Sequence, residues 1–162
     1  MVPFLDLKKQ YAEIKDEVNA AVMDVIESTQ FVLGDEVKAF EDDFAVYCTS
    51  AHCVAFNSGT SALHLALLAL EIGPGDEVIT VSNTAVPTVS AILETGAKPV
   101  FCDVNLDDYN IDTDLVENLI SKKTKAVVCV HLYGHAANVK KLQEICKENN
   151  LFLVEDLSLI HI

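Results

Sequence analysis

The chain has 162 residues, with 25 Asp plus Glu against 11 Lys plus Arg and a formal net charge of −14. All eleven cations are lysines, and so acidic a chain lacks the clustered basic side chains that neutralise nucleic-acid phosphates or hold a protein to an anionic membrane surface. With 51 % apolar and 22 % charged residues the composition is globular, and a chain of this length typically folds as one domain burying roughly 70 % of its unfolded surface.

The opening Met1-Val2-Pro3-Phe4-Leu5-Asp6 has neither a basic n-region nor an apolar h-region, so it does not read as a signal peptide. Ile14, Val18, Ala21, Val22, Val25 and Ile26 recur at helical spacing and predict a first amphipathic helix. Gly34 punctuates, and Asp35 is placed to cap a second helix through Val37, Phe40, Phe44 and Tyr47. From residue 52 the period changes. His52 to Phe56 reads as a short strand, Asn57-Ser58-Gly59-Thr60 as a turn, and Ser61 to Leu70 as an Ala/Leu-rich helix.

Gly73-Pro74-Gly75-Asp76 predicts a turn. The strand Glu77 to Val81 follows, then a helix from Thr84 to Glu94 with Pro87 in its first turn. Lys98 to Cys102 is a strand, and Asp112 caps a helix through Leu115, Leu119 and Ile120. Lys125 to Val130 is a strand, His131 to Ala136 a loop, Val139 to Lys147 a helix and Leu151 to Val154 a last strand. The longest mostly apolar run, residues 62–70, is far short of the ~20 residues of a membrane span.

Strand–helix alternation with continuous apolar strands predicts an α/β fold: three layers around a mainly parallel, doubly wound sheet. The organisation read from the chain is a helical segment over 1–50, the α/β part over 51–156 and an atypical apolar tail over 157–162. Five cysteines (Cys48, Cys53, Cys102, Cys129 and Cys146) include no C-x-x-C pair, which fits reduced thiols in the cytoplasm.

Such sheets bind ligands beyond the C-terminal ends of their strands. Asn57-Ser58-Gly59-Thr60-Ser61 opens a helix after an apolar segment, which suits an anion through backbone N–H groups and the helix dipole. It carries neither the lysine of a Walker A loop nor a G-x-G-x-x-G fingerprint, and by itself it equally describes a Ser or Thr N-cap. Glu155-Asp156 ends another strand, where a carboxylate could hold a metal ion or a protonated ring nitrogen; alone, a solvated strand end is the commoner reason for it. Together, a phosphate cradle and a carboxylate on one sheet edge suit a ligand with phosphate at one end and a basic ring nitrogen at the other. Pyridoxal phosphate is such a ligand.

His131 and His135 lie four apart, but Gly134 favours a loop over a metal-ligating helix, and Tyr133 is read as packing or pocket-lining. His64 reads as a core or interface histidine. Asp107, Asp108, Asp112 and Asp114 lack EF-hand spacing and read as turn and cap residues. No metal site is assigned.

The motifs Phe4-Leu5-Asp6-Leu7-Lys8-Lys9-Gln10-Tyr11, Phe31-Val32-Leu33-Gly34, Asn57-Ser58-Gly59-Thr60-Ser61-Ala62-Leu63, Ile72-Gly73-Pro74-Gly75-Asp76-Glu77-Val78, His131-Leu132-Tyr133-Gly134 and Val154-Glu155-Asp156 resemble, in order, the DegT/DnrJ/StrS family of sugar aminotransferases. The resemblance implies a fold-type-I pyridoxal-phosphate enzyme, normally a homodimer. It implies transfer of an amino group, usually from glutamate, to a nucleotide-linked keto sugar. It puts Gly59, Thr60 and Ser61 at the cofactor phosphate, Ala85 where relatives often carry an aromatic ring over the cofactor, and Asp156 at the pyridine nitrogen. It also implies that the lysine forming the Schiff base falls beyond this sequence. No lysine here is placed for that role, so the chain is expected to be an N-terminal part, inactive alone, with a marginally stable cut sheet. A related sugar dehydratase, or a non-catalytic truncated protein of this fold, is the alternative. A Rossmann oxidoreductase lacks its glycines.

Overall fold

The computed structural model describes residues 5–157, so Phe4 of the first motif and most of the expected tail (158–162) lie outside the described residues. The chain divides into two compact units, Met1–Ala55 and Phe56–Ile162.

In the first unit, α1 spans Leu7–Ser28 and α2 spans Asp35–Tyr47. Asp6 caps α1, its carboxylate accepting the Lys9 N–H at 3.1 Å. Gly34, rather than Asp35, is the N-cap of α2. Asp35 and Glu36 sit one step inside, in the first turn, where the helix dipole favours negative charge. The rings of Phe40 and Phe44, four apart on one face, stack with centroids 5.4 Å apart. Neither helix buries a residue within the described chain; Ile14, Val18, Val22, Phe31 and Phe44 are all exposed. The expected strand His52–Phe56 does not form. A β-prone run needs a ladder partner, and the Ala55 N–H is instead taken at 2.8 Å by the side chain of Glu41.

The second unit holds α3 (Gly59–Ala69), β1 (Glu77–Val81), α4 (Val86–Glu94), β2 (Lys98–Cys102), α5 (Thr113–Leu119), β3 (Thr124–Val130), α6 (Val139–Glu148) and β4 (Phe152–Asp156). The strands form one sheet in the order β2-β1-β3-β4, every neighbouring pair parallel. Alternate residues of each strand face opposite sides. Val78, Ala126 and Val128 pack with Leu67, Ile72 and Ile92 on the α3/α4 side. Ile79, Val81, Val127 and Cys129 pack with Val116, Leu142, Ile145 and Cys146 on the α5/α6 side. Both faces are thus covered, which explains the continuous apolar strands, and each fully buried Val, Leu or Ile contributes roughly 1.5–3 kcal/mol. The edge strands β2 and β4 leave Phe101 and Phe152 about half exposed.

The turn between α3 and β1 sets the direction of α3. Asp76 closes Gly73-Pro74-Gly75-Asp76 by accepting the Gly73 N–H at 3.0 Å, and Gly75 takes φ +99°. Gly96, after α4, sits so close to Pro74 that an added Cβ would lie 2.8 Å from the proline ring. The C-terminal ends of α3 and α4 therefore meet near the start of β1. Their N-terminal ends consequently lie at the edge where the strands finish.

Candidate functional site

The finishing edge is defined by Val81 beside Cys102 and by Val130 beside Asp156. The helices α3 and α4 bring their N-termini to it on one face of the sheet. α3 begins at Gly59, two residues before the expected start, because Ser58 is extended (φ −158°, ψ 156°) and caps it. Ser58 Oγ accepts the Ser61 N–H at 3.1 Å and lies 2.9 Å from Ser61 Oγ. Gly59 and Thr60 are then the first two helical positions, whose N–H groups have no acceptor inside the helix. Gly59 is exposed, and Thr60 and Ser61 are half-buried. α4 starts at Val86 with Ala85, half-buried, as its N-cap and Pro87 in its first turn. Ala85 offers a methyl group where a ring would offer a stacking face.

Asp156 ends β4 and is 2 % exposed. It follows Val154 by two residues, and Val154 packs against the α3/α4 cluster, so the Asp156 carboxylate faces the same helices. Thr88 of α4, 1 % exposed, donates its hydroxyl to Asp156 Oδ2 at 2.7 Å. Thr84 Oγ1 lies 2.9 Å from Thr88 Oγ1. The backbone carbonyl of Asp156 accepts the His131 N–H at 3.1 Å.

Glu155 points to the opposite face. Its Oε2 is 3.1 Å from Nε2 of His131, which is 2 % exposed, and Nδ1 of His131 accepts the Ala137 N–H at 3.0 Å. The segment after β3 contains a single 3₁₀ turn, Leu132–Gly134, with Tyr133 in the left-handed region at φ 55°. Buried Asn110 pins it, accepting the Leu132 N–H at 3.0 Å and donating to the His135 carbonyl at 3.1 Å. His131 and His135 do not converge: the His135 ring is exposed, 3.8 Å from Asp108. Tyr133, 76 % exposed, meets Tyr109 edge to face at 6.3 Å. Asp112 caps α5 and Asp108 accepts the Asn110 N–H. Half-buried His64 stands 3.5 Å from Glu94.

The lysines of this unit are elsewhere. Lys98 starts β2, 3.9 Å from Glu77, and Lys125 is the second residue of β3, so both lie toward the opposite edge. Lys140, Lys141 and Lys147 belong to α6 on the other face, and Lys141 is paired with Asp114, whose hydrogen bond raises the lysine's pKa. The buried thiols are inert for a plain reason: burial pushes Cys102 and Cys146 up to about 11, and burial plus the Glu155 charge pushes Cys129 up to about 12.

The fold thus gathers Gly59, Thr60, Ser61, Ala85 and Asp156 at one edge and one face. Sequence reasoning missed Thr88, Thr84 and the clamp on His131. A threonine four residues after another, inside the apolar stretch Val86–Leu93, was the available signal for the first two.

A family model described as the DegT/DnrJ/EryC1/StrS aminotransferase family matches residues 12–159. The chain is 45 % identical to dTDP-3-amino-3,4,6-trideoxy-alpha-D-glucose transaminase of Streptomyces venezuelae over 99 % of its own length and 42 % of that protein's. It is 39 % identical to UDP-2-acetamido-2-deoxy-3-oxo-D-glucuronate aminotransferase of Pseudomonas aeruginosa, over 96 % of its length and 44 % of that protein's. Among solved structures, S. venezuelae DesV superposes with a TM-score of 0.93 at 46 % identity, covering 96 % of this chain and 42 % of DesV. NtdA of Bacillus subtilis, with bound cofactor PMP, gives 0.89 at 33 % identity, covering 96 % and 36 %. The chain therefore spans well under half of the relatives it matches. By the family model, by identity over nearly its whole length and by its fold, the chain belongs to the DegT/DnrJ/EryC1/StrS aminotransferase family.

Proposed function

We propose that this chain supplies the cofactor cradle of a pyridoxal-phosphate aminotransferase that acts on a nucleotide-linked keto sugar with glutamate as amino donor. One observation carries the reading: the N-terminus of α3, with the N–H groups of Gly59 and Thr60, and the buried carboxylate of Asp156 share one edge and one face of the sheet. Two ends of opposite character suit a ligand with a phosphate and a basic ring nitrogen. In this reading Gly59, Thr60 and Ser61 hold the phosphate, Ala85 lies against the ring, and Asp156 keeps the ring nitrogen protonated. Bound pyridoxal phosphate supplies the electron sink that amino transfer requires. The substrate class is supported by the dTDP- and UDP-sugar names of the relatives.

The Asp156 carboxylate is 2 % exposed and accepts the Thr88 hydroxyl, and in this reading a pyridinium N–H adds a charge-assisted hydrogen bond to it. No lysine of the second unit's described residues stands at this edge on the α3/α4 face, so turnover needs a lysine from outside that set. We therefore assign cofactor binding to the chain and turnover to the whole gene product, acting as a homodimer in the cytosol. The five free thiols suit that reducing compartment.

Pyridoxamine 5'-phosphate needs no covalent link and tests the cradle directly. The 162-residue chain should bind it, and Asp156→Asn and Thr60→Val should each weaken binding about tenfold or more. Binding unchanged in both variants would overturn the site. With pyridoxal phosphate and borohydride the chain should keep its mass, whereas the whole gene product should gain one pyridoxyl group. Release of 2-oxoglutarate from glutamate by the whole gene product, dependent on a dTDP- or UDP-linked keto sugar, tests the reaction.

A further inference from the structure

We propose that Thr88 is the positioning residue of Asp156: its hydroxyl sets the orientation in which the carboxylate meets a protonated ring nitrogen, and Thr84 in turn orients that hydroxyl. The inference rests on the role given to Asp156 above and goes beyond it, because Thr88 touches neither cofactor nor substrate in this account.

The donor arithmetic fixes the direction of the chain. A carboxylate only accepts, so the single hydrogen of the Thr88 hydroxyl is committed to Asp156 Oδ2 at 2.7 Å. Thr88 Oγ1 can then only accept in its 2.9 Å contact with Thr84, so Thr84 is the donor there. The hydrogen bonds run one way, Thr84 to Thr88 to Asp156, each polarising the next in a low-dielectric setting.

The placement is not what a helix asks of a threonine. A hydroxyl in a helix ordinarily returns to the carbonyl of the preceding turn or faces solvent. Thr88 is 1 % exposed, one of the three buried residues of its short helix with Ala91 and Ile92, and reaches across to a residue 68 positions away. The short charge-assisted bond from a β-branched side chain on a packed helix restrains the side-chain torsions of Asp156. Thr84 lies one residue before Ala85, so the same relay ties Asp156 to the loop that presents the face of the site.

The test is the affinity for pyridoxamine 5'-phosphate across pH in the wild-type chain and in Thr88→Val, Thr88→Ser, Thr88→Cys and Asp156→Asn. The wild type should bind best when the ring nitrogen is protonated. Thr88→Val should bind about tenfold more weakly near neutrality. It should also lose affinity at a pH about one unit lower, because a misaligned carboxylate holds the ring proton less well. Thr88→Ser should restore both values, and Asp156→Asn should abolish the pH dependence. A merely structural threonine would lower affinity equally at every pH, and that uniform loss overturns the proposal. If Thr88→Val does not fold, the contrast of Ser with Cys decides, since both are similar in size and only the first is a strong donor; equal pH profiles overturn it. If Asp156→Asn leaves the profile unchanged, the role of Asp156 itself falls, whereas an altered Asp156→Asn beside a native-like Thr88→Val removes the Thr88 role alone.

Discussion

Nε2 of His131 donates to Oε2 of Glu155 at 3.1 Å, an assignment that follows from the ring's other nitrogen. Nδ1 accepts the Ala137 N–H at 3.0 Å, so the proton of a neutral ring resides on Nε2. Through its own N–H to the Asp156 carbonyl, His131 also holds the end of β4. One buried residue therefore fastens the β3–α6 loop and the last two residues of β4, through its ring to Ala137 and Glu155 and through its backbone to Asp156. Replacing it leaves a cavity and strands the Ala137 N–H. His131→Ala should cost roughly 2–4 kcal/mol in urea unfolding of the chain. Glu155→Gln, which keeps an acceptor, should cost under about 1 kcal/mol. Equal losses from the two would show that the bond to the Glu155 carboxylate, and not the ring's burial, is what matters.

The thiols give a pH prediction with a definite sign. Cys102, Cys129 and Cys146 are neutral in the folded chain up to about 11, 12 and 11, against an ordinary value of 9.0. Above pH 9 the unfolded chain sheds these protons while the folded one keeps them. The stability they lend is full below 9 and is lost as pH rises from 9 toward 11 or 12, by roughly 1 kcal/mol per thiol per unit. Unfolding midpoints in urea should hold between pH 7 and 8.5 and fall steeply by pH 10.5. At pH 8, iodoacetamide should alkylate exposed Cys48 and half-buried Cys53 well before the three core thiols. Rapid labelling of Cys129 in native conditions would contradict its position between β1 and β4.

Most of the second unit was legible because its sequence signals are local. The continuous apolar runs Glu77–Val81 and Lys125–Val130, the turn Gly73–Asp76 and the caps at Ser58 and Asp112 each specify their structure within a few residues, with ends moving by one or two. His52–Phe56 failed for the converse reason. Its composition is that of a strand, but a strand exists only with a partner, and composition does not report one. The site divides likewise. Gly59-Thr60-Ser61 and Asp156 stand at strand and helix ends, where chain order alone puts them on one edge. Thr88 acquires its meaning from a residue 68 positions later, a relation that no spacing encodes. The clamp on His131 is of the same kind: the partners of its ring, Ala137 and Glu155, lie 6 and 24 positions away.

Gly96 tests the argument that fixes the direction of α3. It has φ +83°, and an added Cβ would come 2.8 Å from the Pro74 ring, whereas Gly75 at φ +99° has open space around it. Both positions penalise a side chain through the backbone, by about 1–2 kcal/mol. Only Gly96 adds a clash. Gly96→Ala should therefore lower the melting temperature clearly more than Gly75→Ala, and Pro74→Ala should recover part of the Gly96→Ala loss. Equal effects would mean that the ends of α3 and α4 do not meet as described.

Gly59 allows stability and binding to be pulled in opposite directions. It is the first helical residue of α3, its N–H has no acceptor in the helix, and Ser58 before it is extended. Those are the conditions in which proline fits: the missing N–H costs nothing to the helix, and the preceding residue already avoids the helical region. Gly59→Pro should leave stability unchanged or raise it by about 0.4–1 kcal/mol, by restricting the unfolded chain. If that N–H holds the phosphate, the same change should weaken pyridoxamine 5'-phosphate binding about tenfold. Ser58→Ala should show the reverse profile. It removes the cap on the Ser61 N–H and costs about 1 kcal/mol, yet it spares the donors at Gly59 and Thr60 and should leave affinity within about threefold. Calorimetry of the two variants, with and without the ligand, separates a phosphate cradle from an ordinary helix cap. A Gly59→Pro chain that melts higher and binds as tightly as the wild type would leave the N-terminus of α3 with capping alone.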